Sequence, residues 1–216
     1  MGGTFAGVAE TSLVKQAGLG FRMHSGWGVL VAACGGAESL EVVERRRIEI
    51  IDSGVPGGKQ PYHHAAQLRT QGCELQDCEQ YIAACGALAE GMALAVVVDT
   101  WRELNERECR ITSAAVLMAA GRVLPSLSQV LGSHPLIHTA EGEFFRLAVR
   151  RACEQLKIPV EEIRERDLGQ RAELAFGKGA TRMQRRIASF GKTIGPPWTS
   201  DHKAATMAAL LALQRK

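Results

Sequence analysis

The sequence predicts one α/β domain: a single mixed sheet with an antiparallel N-terminal hairpin and C-terminal helices. Three observations predict it. Two strand-like runs near the start are separated by a Gly-rich turn. The apolar spacing changes to helical steps after Asp77. Strand-like segments then recur between helices. At 216 residues the chain is long enough for one core that needs no staple. With 46% apolar and 23% charged residues it has the composition of an ordinary globular protein, which excludes a disordered or fibrous chain. The net charge of +3 is too small to specify a partner.

Trp27 to Cys34 is short, apolar and bounded by glycines, so it reads as a strand. Leu40 to Asp52 alternates imperfectly around a charged middle and is expected to hairpin onto it. Arg45, Arg46 and Arg47 lie there on alternating faces. Asp52 to Pro61 is dense in Gly and Pro and reads as a loop. From Asp77 to Arg107, Tyr81, Cys85, Leu88, Met92 and Val96 recur at steps of four and three, giving a long amphipathic helix. Arg110 to Ala120 is a further strand. Ser133 to Leu156 is a helix with Ser133 placed to cap it and Pro135 in its first turn. Pro159 to Arg166 is a short strand, and Leu168 to Phe190 is helical with a break at Gly177 to Gly179. After Gly195-Pro196-Pro197-Trp198, Thr199 or Ser200 caps a last helix from Asp201 to Gln214. Residues 1–20 read as a loosely ordered arm and residues 21–216 as the domain.

No run of 18 apolar residues and no charged-then-apolar leader is visible, so a cytoplasmic protein without a membrane partner is expected. The six cysteines show no Cys-x-x-Cys pair and read as buried small hydrophobes.

The densest chemistry lies on the helix after Ser133. At about 100° per residue, His134, His138 and Glu141 fall within roughly 60° of one another, bordering the apolar stripe of Ile137, Ala140 and Ala148. Two imidazoles and a carboxylate on one face suit a divalent transition metal or general acid–base work. The same residues also suit a structural role, with Glu141 favoured near the helix start by the dipole. Glu143 and Arg146 point elsewhere and read as solvent-facing. Of the adjacent His63 and His64, at most one can join a site on a helix. Asp201 is held at a helix start by stiff prolines, and Asp52 ends a strand; both are further carboxylate candidates. The alanines at 204, 205, 208, 209 and 212 suggest that the last helix approaches its partner closely. Arg182, Arg185 and Arg186, with Lys192, form an acid-free basic stretch suited to phosphates of nucleic acid or to plain solvation.

Asp201 opening a helix with Ala204, Ala205, Ala208 and Ala209 resembles the last helix of Holliday-junction resolvases of the ribonuclease-H-like superfamily. Ser25-Gly26-Trp27-Gly28-Val29 resembles the turn between their first strands. The stretches His134 to Glu143 and Gly195 to Trp198 are also similar to those of bacterial proteins of unassigned function. The resolvase resemblance implies a ribonuclease-H-like fold and two-metal phosphodiester hydrolysis by clustered carboxylates, with Mg or Mn as the ion. The stretch from Gly18 to His24 lacks the first-strand Asp of that superfamily. The expected function is therefore a metal-dependent phosphodiester hydrolase. Glu141, Asp201, Asp52 and His134 hold the ion, His138, Glu141 and Asp201 perform the chemistry, and Arg182, Arg185, Arg186 and Lys192 contact nucleic acid. The alternative is a non-catalytic module that binds nucleic acid or protein, or a scaffold whose active site has degraded.

Overall fold

The computed structural model describes residues 14–36, 38–119 and 123–214. Five strands form one sheet: β1 (Lys15–Met23), β2 (Trp27–Cys34), β3 (Glu41–Glu49), β4 (Cys109–Met118) and β5 (Val160–Arg164), in the order β3-β2-β1-β4-β5. β1, β2 and β3 are antiparallel neighbours, while β4 lies parallel to β1 and β5 parallel to β4. The hairpin expected from Trp27 onward is present as β2 and β3. The helices are α1 (Pro61–Thr70), α2 (Leu75–Glu106), α3 (Leu127–Leu131), α4 (His134–Gln155), α5 (Leu168–Phe176), α6 (Ala180–Ser189), α7 (Gly191–Ile194) and α8 (Ser200–Leu213). α2 and α4 cover one face of the sheet; α8, flanked by α5 and α6, covers the other.

Besides the short helices α3 and α7, two longer elements depart from the sequence expectation. β1 begins at Lys15, inside the stretch read as an arm; the rest of that arm, residues 1–13, lies outside the described residues. Its sequence hides it because it is the central strand, buried on both faces, so no polar alternation marks it. Ala17, Leu19 and Phe21 face α2 and α4, whereas Gly18 and Gly20 meet the backbone of α8. A Cβ on Gly20 would fall inside the Ala205 carbonyl oxygen and 2.8 Å from the Ala209 nitrogen. The alanines of α8 and these two glycines are thus the two halves of one close contact. The second departure is α1, which opens with Pro61 at the position where a missing amide costs nothing.

α2 is long and apolar enough to cross a membrane, with a mean hydropathy of 1.9 over its most apolar window. Its inner stripe of Cys85, Ala89, Ala93, Val97 and Leu104 is buried within the domain. The sequence expectation had found no such span. All six cysteines are unpaired, and burial pushes the Cys34 and Cys153 thiols up to about 12, as expected of inert core residues.

The basic residues of α6 are partly committed to this architecture. Arg186 donates to the Glu38 carbonyl and, at 2.8 Å, to the Leu40 carbonyl, and Arg182 pairs with the Glu38 carboxylate at 2.7 Å. Two of the three arginines read as a phosphate-binding stripe therefore tie α6 to the β2–β3 turn, while Arg185 and Lys192 are exposed. Arg186→Ala should lower stability by about 1 kcal/mol in urea unfolding, from the two carbonyls it leaves without a charged donor. Arg185→Ala should leave it unchanged.

Candidate functional site

α4 starts as expected, with Pro135 in the first turn, but the Ser133 side chain makes no capping bond. The helix instead serves another helix's start. Glu141, 7% exposed, turns its Oε1 to the first turn of α1 and accepts the amides of Tyr62 at 2.8 Å and His63 at 3.0 Å. These are two of the donors that a helix start leaves without internal partners. The same oxygen lies 3.4 Å from Nδ1 of His63. Oε2 is buried and has no protein partner. Burial pushes the Glu141 carboxyl up to about 7, against the opposing pull of the two amides.

His63, brought by α1, completes a group the sequence showed only in part. His63, His134 and His138 each offer a ring nitrogen, and these atoms lie within 4.8 Å of one another. The ring centroids are 4.3 Å apart for His134 and His138, 4.9 Å for His63 and His138, and 5.7 Å for His63 and His134. His134 and His138 are one helical turn apart on an exposed face. His64 points away and packs on Tyr81, as expected for neighbours on a helix. The signal for His63 in the sequence was the His-His pair itself; which of the two would turn inward depended on α1, an element the sequence concealed.

A cavity of about 440 Å³ opens beside this group, lined by His63, His138 and Glu141 together with His24, Trp27 and Arg146. Arg146, read from the sequence as solvent-facing, is half-buried and donates to the Leu117 carbonyl at 2.7 Å. The cavity lies where β1 ends and passes through His24 into the turn before β2. Burial and the nearby Arg22 and Arg146 hold the His24 pKa below its ordinary value.

Asp201 stands on the other side of His24. Thr199 caps α8 in a reciprocal box with His202, which fixes the first turn that carries Asp201. Its Oδ2 receives His24 Nε2 at 2.9 Å, and its Oδ1 is paired with Arg22, which also binds Glu165 at 2.7 Å. Asp201 lines a different cavity of about 440 Å³, with Trp27, Arg47 and His202. Trp27 borders both cavities, stacked on His24 at 4.2 Å and overlain by Arg47 at 3.8 Å. Asp52 is exposed, accepts the Gly54 amide at 2.7 Å and lines neither cavity.

The carboxylates expected to share one ion are therefore distributed. Glu141 faces imidazoles, and Asp201 is neutralised by Arg22 and hydrogen-bonded by His24. An oxygen-rich donor set of the kind Mg or Mn requires does not fit what these residues present. A nitrogen-rich set does stand together, one wall away.

No protein-family model matches the sequence, and no curated protein matches it by sequence. Among solved structures the chain is similar to T. thermophilus RuvC in complex with a Holliday junction substrate. The TM-score is 0.48 at 13% identity, over 94% of each chain. It is similar also to a second structure of Thermus thermophilus RuvC, with a TM-score of 0.47 at 12% identity over 92% of this chain and 93% of that one. No site residue is carried across either likeness.

Proposed function

We propose that the protein is a metal-dependent phosphodiester hydrolase whose reaction centre is the cavity between the start of α4, the first turn of α1 and the β1–β2 turn. One observation carries the reading. Glu141, whose buried Oε2 has no protein partner, lines the same cavity as the imidazoles of His24, His63 and His138 and the Arg146 guanidinium. Arg146 and the polar edge of His24 hold an anionic ester there. Glu141, with a carboxyl near neutrality, takes a proton from the attacking water and returns it to the leaving oxygen, while His138 stands at the cavity mouth to orient that water. A divalent ion at such a site polarises the phosphoryl oxygen and acidifies water. Asp201 acts at one remove by fixing the His24 ring.

Nucleic acid is the proposed natural substrate, with Arg185 on α6 and Lys192 on α7 as exposed cations. A specific observation favours the rival reading: the cation-paired Asp201 and acid-free end of β1 suit a scaffold that has lost a carboxylate centre. Hydrolysis of bis(p-nitrophenyl) phosphate and of single- and double-stranded oligonucleotides, with Mg²⁺, Mn²⁺ or Zn²⁺ added, separates the two. Turnover should fall on the order of 100-fold or more in His138→Ala and Glu141→Gln. Turnover unaffected by both variants, or no turnover by the unaltered protein with any ion, overturns the hydrolase reading.

A further inference from the structure

We infer that His63, His134 and His138 form a mononuclear site for a borderline transition ion of the zinc class, with Glu141 as the carboxylate that orients His63. The inference rests on the reading above for the ion's role in hydrolysis, but the site itself stands on geometry.

Imidazole nitrogens bind Zn²⁺ at roughly 2.0–2.1 Å, so three rings on one tetrahedral ion hold their centroids roughly 5 Å apart. The three observed separations, 4.3, 4.9 and 5.7 Å, bracket that value. The nitrogens themselves must close from 4.8 Å or less to roughly 3.4 Å around an ion. His134 and His138 are exposed and have room to rotate; His63 is held. Its Nδ1 faces Glu141 Oε1, which leaves Nε2 for the ion. A ligand histidine ordinarily gives its other nitrogen to a carboxylate, an arrangement that fixes its tautomer and raises its basicity.

The partnerless Glu141 Oε2 is a second, independent sign. A buried carboxylate oxygen without a donor is costly, and a cation or its bound water at the neighbouring imidazoles supplies what the protein does not. Three nitrogen donors leave a fourth position, which His63 and His138 place toward the 440 Å³ cavity. An open position of this kind belongs to catalytic rather than structural ions. The donor chemistry excludes Mg²⁺ as the preferred occupant, because three imidazoles suit zinc, cobalt or nickel.

Calorimetric titration of the metal-free protein with ZnCl₂ and with CoCl₂ tests the site, with the Co²⁺ absorption spectrum reporting tetrahedral nitrogen ligation. One equivalent of either ion should bind, and MgCl₂ should not compete. His63→Ala and His138→Ala should each weaken binding at least 100-fold. Glu141→Gln, which keeps an acceptor for His63 but removes the charge, should weaken it about 10- to 100-fold. Cys73→Ser, at the least buried thiol, should change nothing. Circular dichroism confirms that each variant is folded. No stoichiometric Zn²⁺ binding, or binding indifferent to His63→Ala, overturns the site. The two readings fail separately. Zn²⁺ bound at the histidines without hydrolysis removes the hydrolase and keeps the site. Hydrolysis that survives His63→Ala in a protein that binds no stoichiometric Zn²⁺ removes the site and keeps the hydrolase.

Discussion

Metal-free Glu141→Gln should be more stable than the unaltered protein at pH 8 by about 2 kcal/mol and equal to it near pH 4.5. The carboxyl titrates near 7 in the folded chain, above its ordinary value of 4.5. Below 4.5 it is protonated whether the chain is folded or not, and it contributes no pH dependence. Between 4.5 and 7 the unfolded chain releases the proton while the folded chain keeps it, so stability falls as pH rises. Above 7 the loss is complete. Each unit of difference corresponds to about 1.4 kcal/mol, and local relaxation brings the sum nearer 2 than 3. Glutamine retains an oxygen for the Tyr62 and His63 amides and carries no charge to bury. Urea unfolding across this range, with the two proteins compared at each pH, provides the check. Parallel curves would show that Glu141 is not held near neutrality. A group kept at a cost to stability is what a functional carboxylate looks like in energetic terms.

Gly20→Ala should lower stability by about 3 kcal/mol, the upper range for forcing atoms into a packed interior. In a domain of this length that is a fall of roughly 6–12 °C in Tm. The added methyl has no rotamer with which to escape, and what it meets is the main chain of α8 at Ala205 and Ala209. The helix must lift, and Asp201 at its start lifts with it, away from His24 and Arg22. Differential scanning calorimetry measures the first effect. The second appears as loss of the upfield-shifted His24 ring signals expected from its stack on Trp27. Gly169→Ala, where a Cβ meets nothing within 4 Å, is the control and should be neutral or better. A Gly20→Ala protein as stable as the original would refute the close contact.

These two positions also mark what the sequence could and could not reveal. Amphipathic elements with one solvent face, such as α2 and α4, announce themselves through their periodicity, and β2 and β3 through the glycines that bound them. β1 is buried on both sides and uses glycine where another strand would use valine, so it carries none of the usual marks. Its presence was recorded only indirectly, by the alanines of the helix that lies on it. At the site, His134, His138 and Glu141 were visible because one helix carries all three. His63 came from a segment some seventy residues earlier whose helix has almost no apolar stripe, and only folding brings it near. Asp201 was correctly fixed at a rigid helix start, yet its partners, Arg22 and His24, were set by the strand that the sequence concealed.

The seat of α8 on β1 has a consequence for how the chain acquires its structure during synthesis. Gly18 and Gly20 are among the first described residues to leave the ribosome, and Ala205 and Ala209 among the last. Until the latter emerge, the strand in the middle of the sheet has one bare side, and nascent molecules wait in a partly formed state with that strip open to association. Premature termination anywhere upstream of residue 200 would therefore yield an aggregation-prone fragment rather than a smaller working protein.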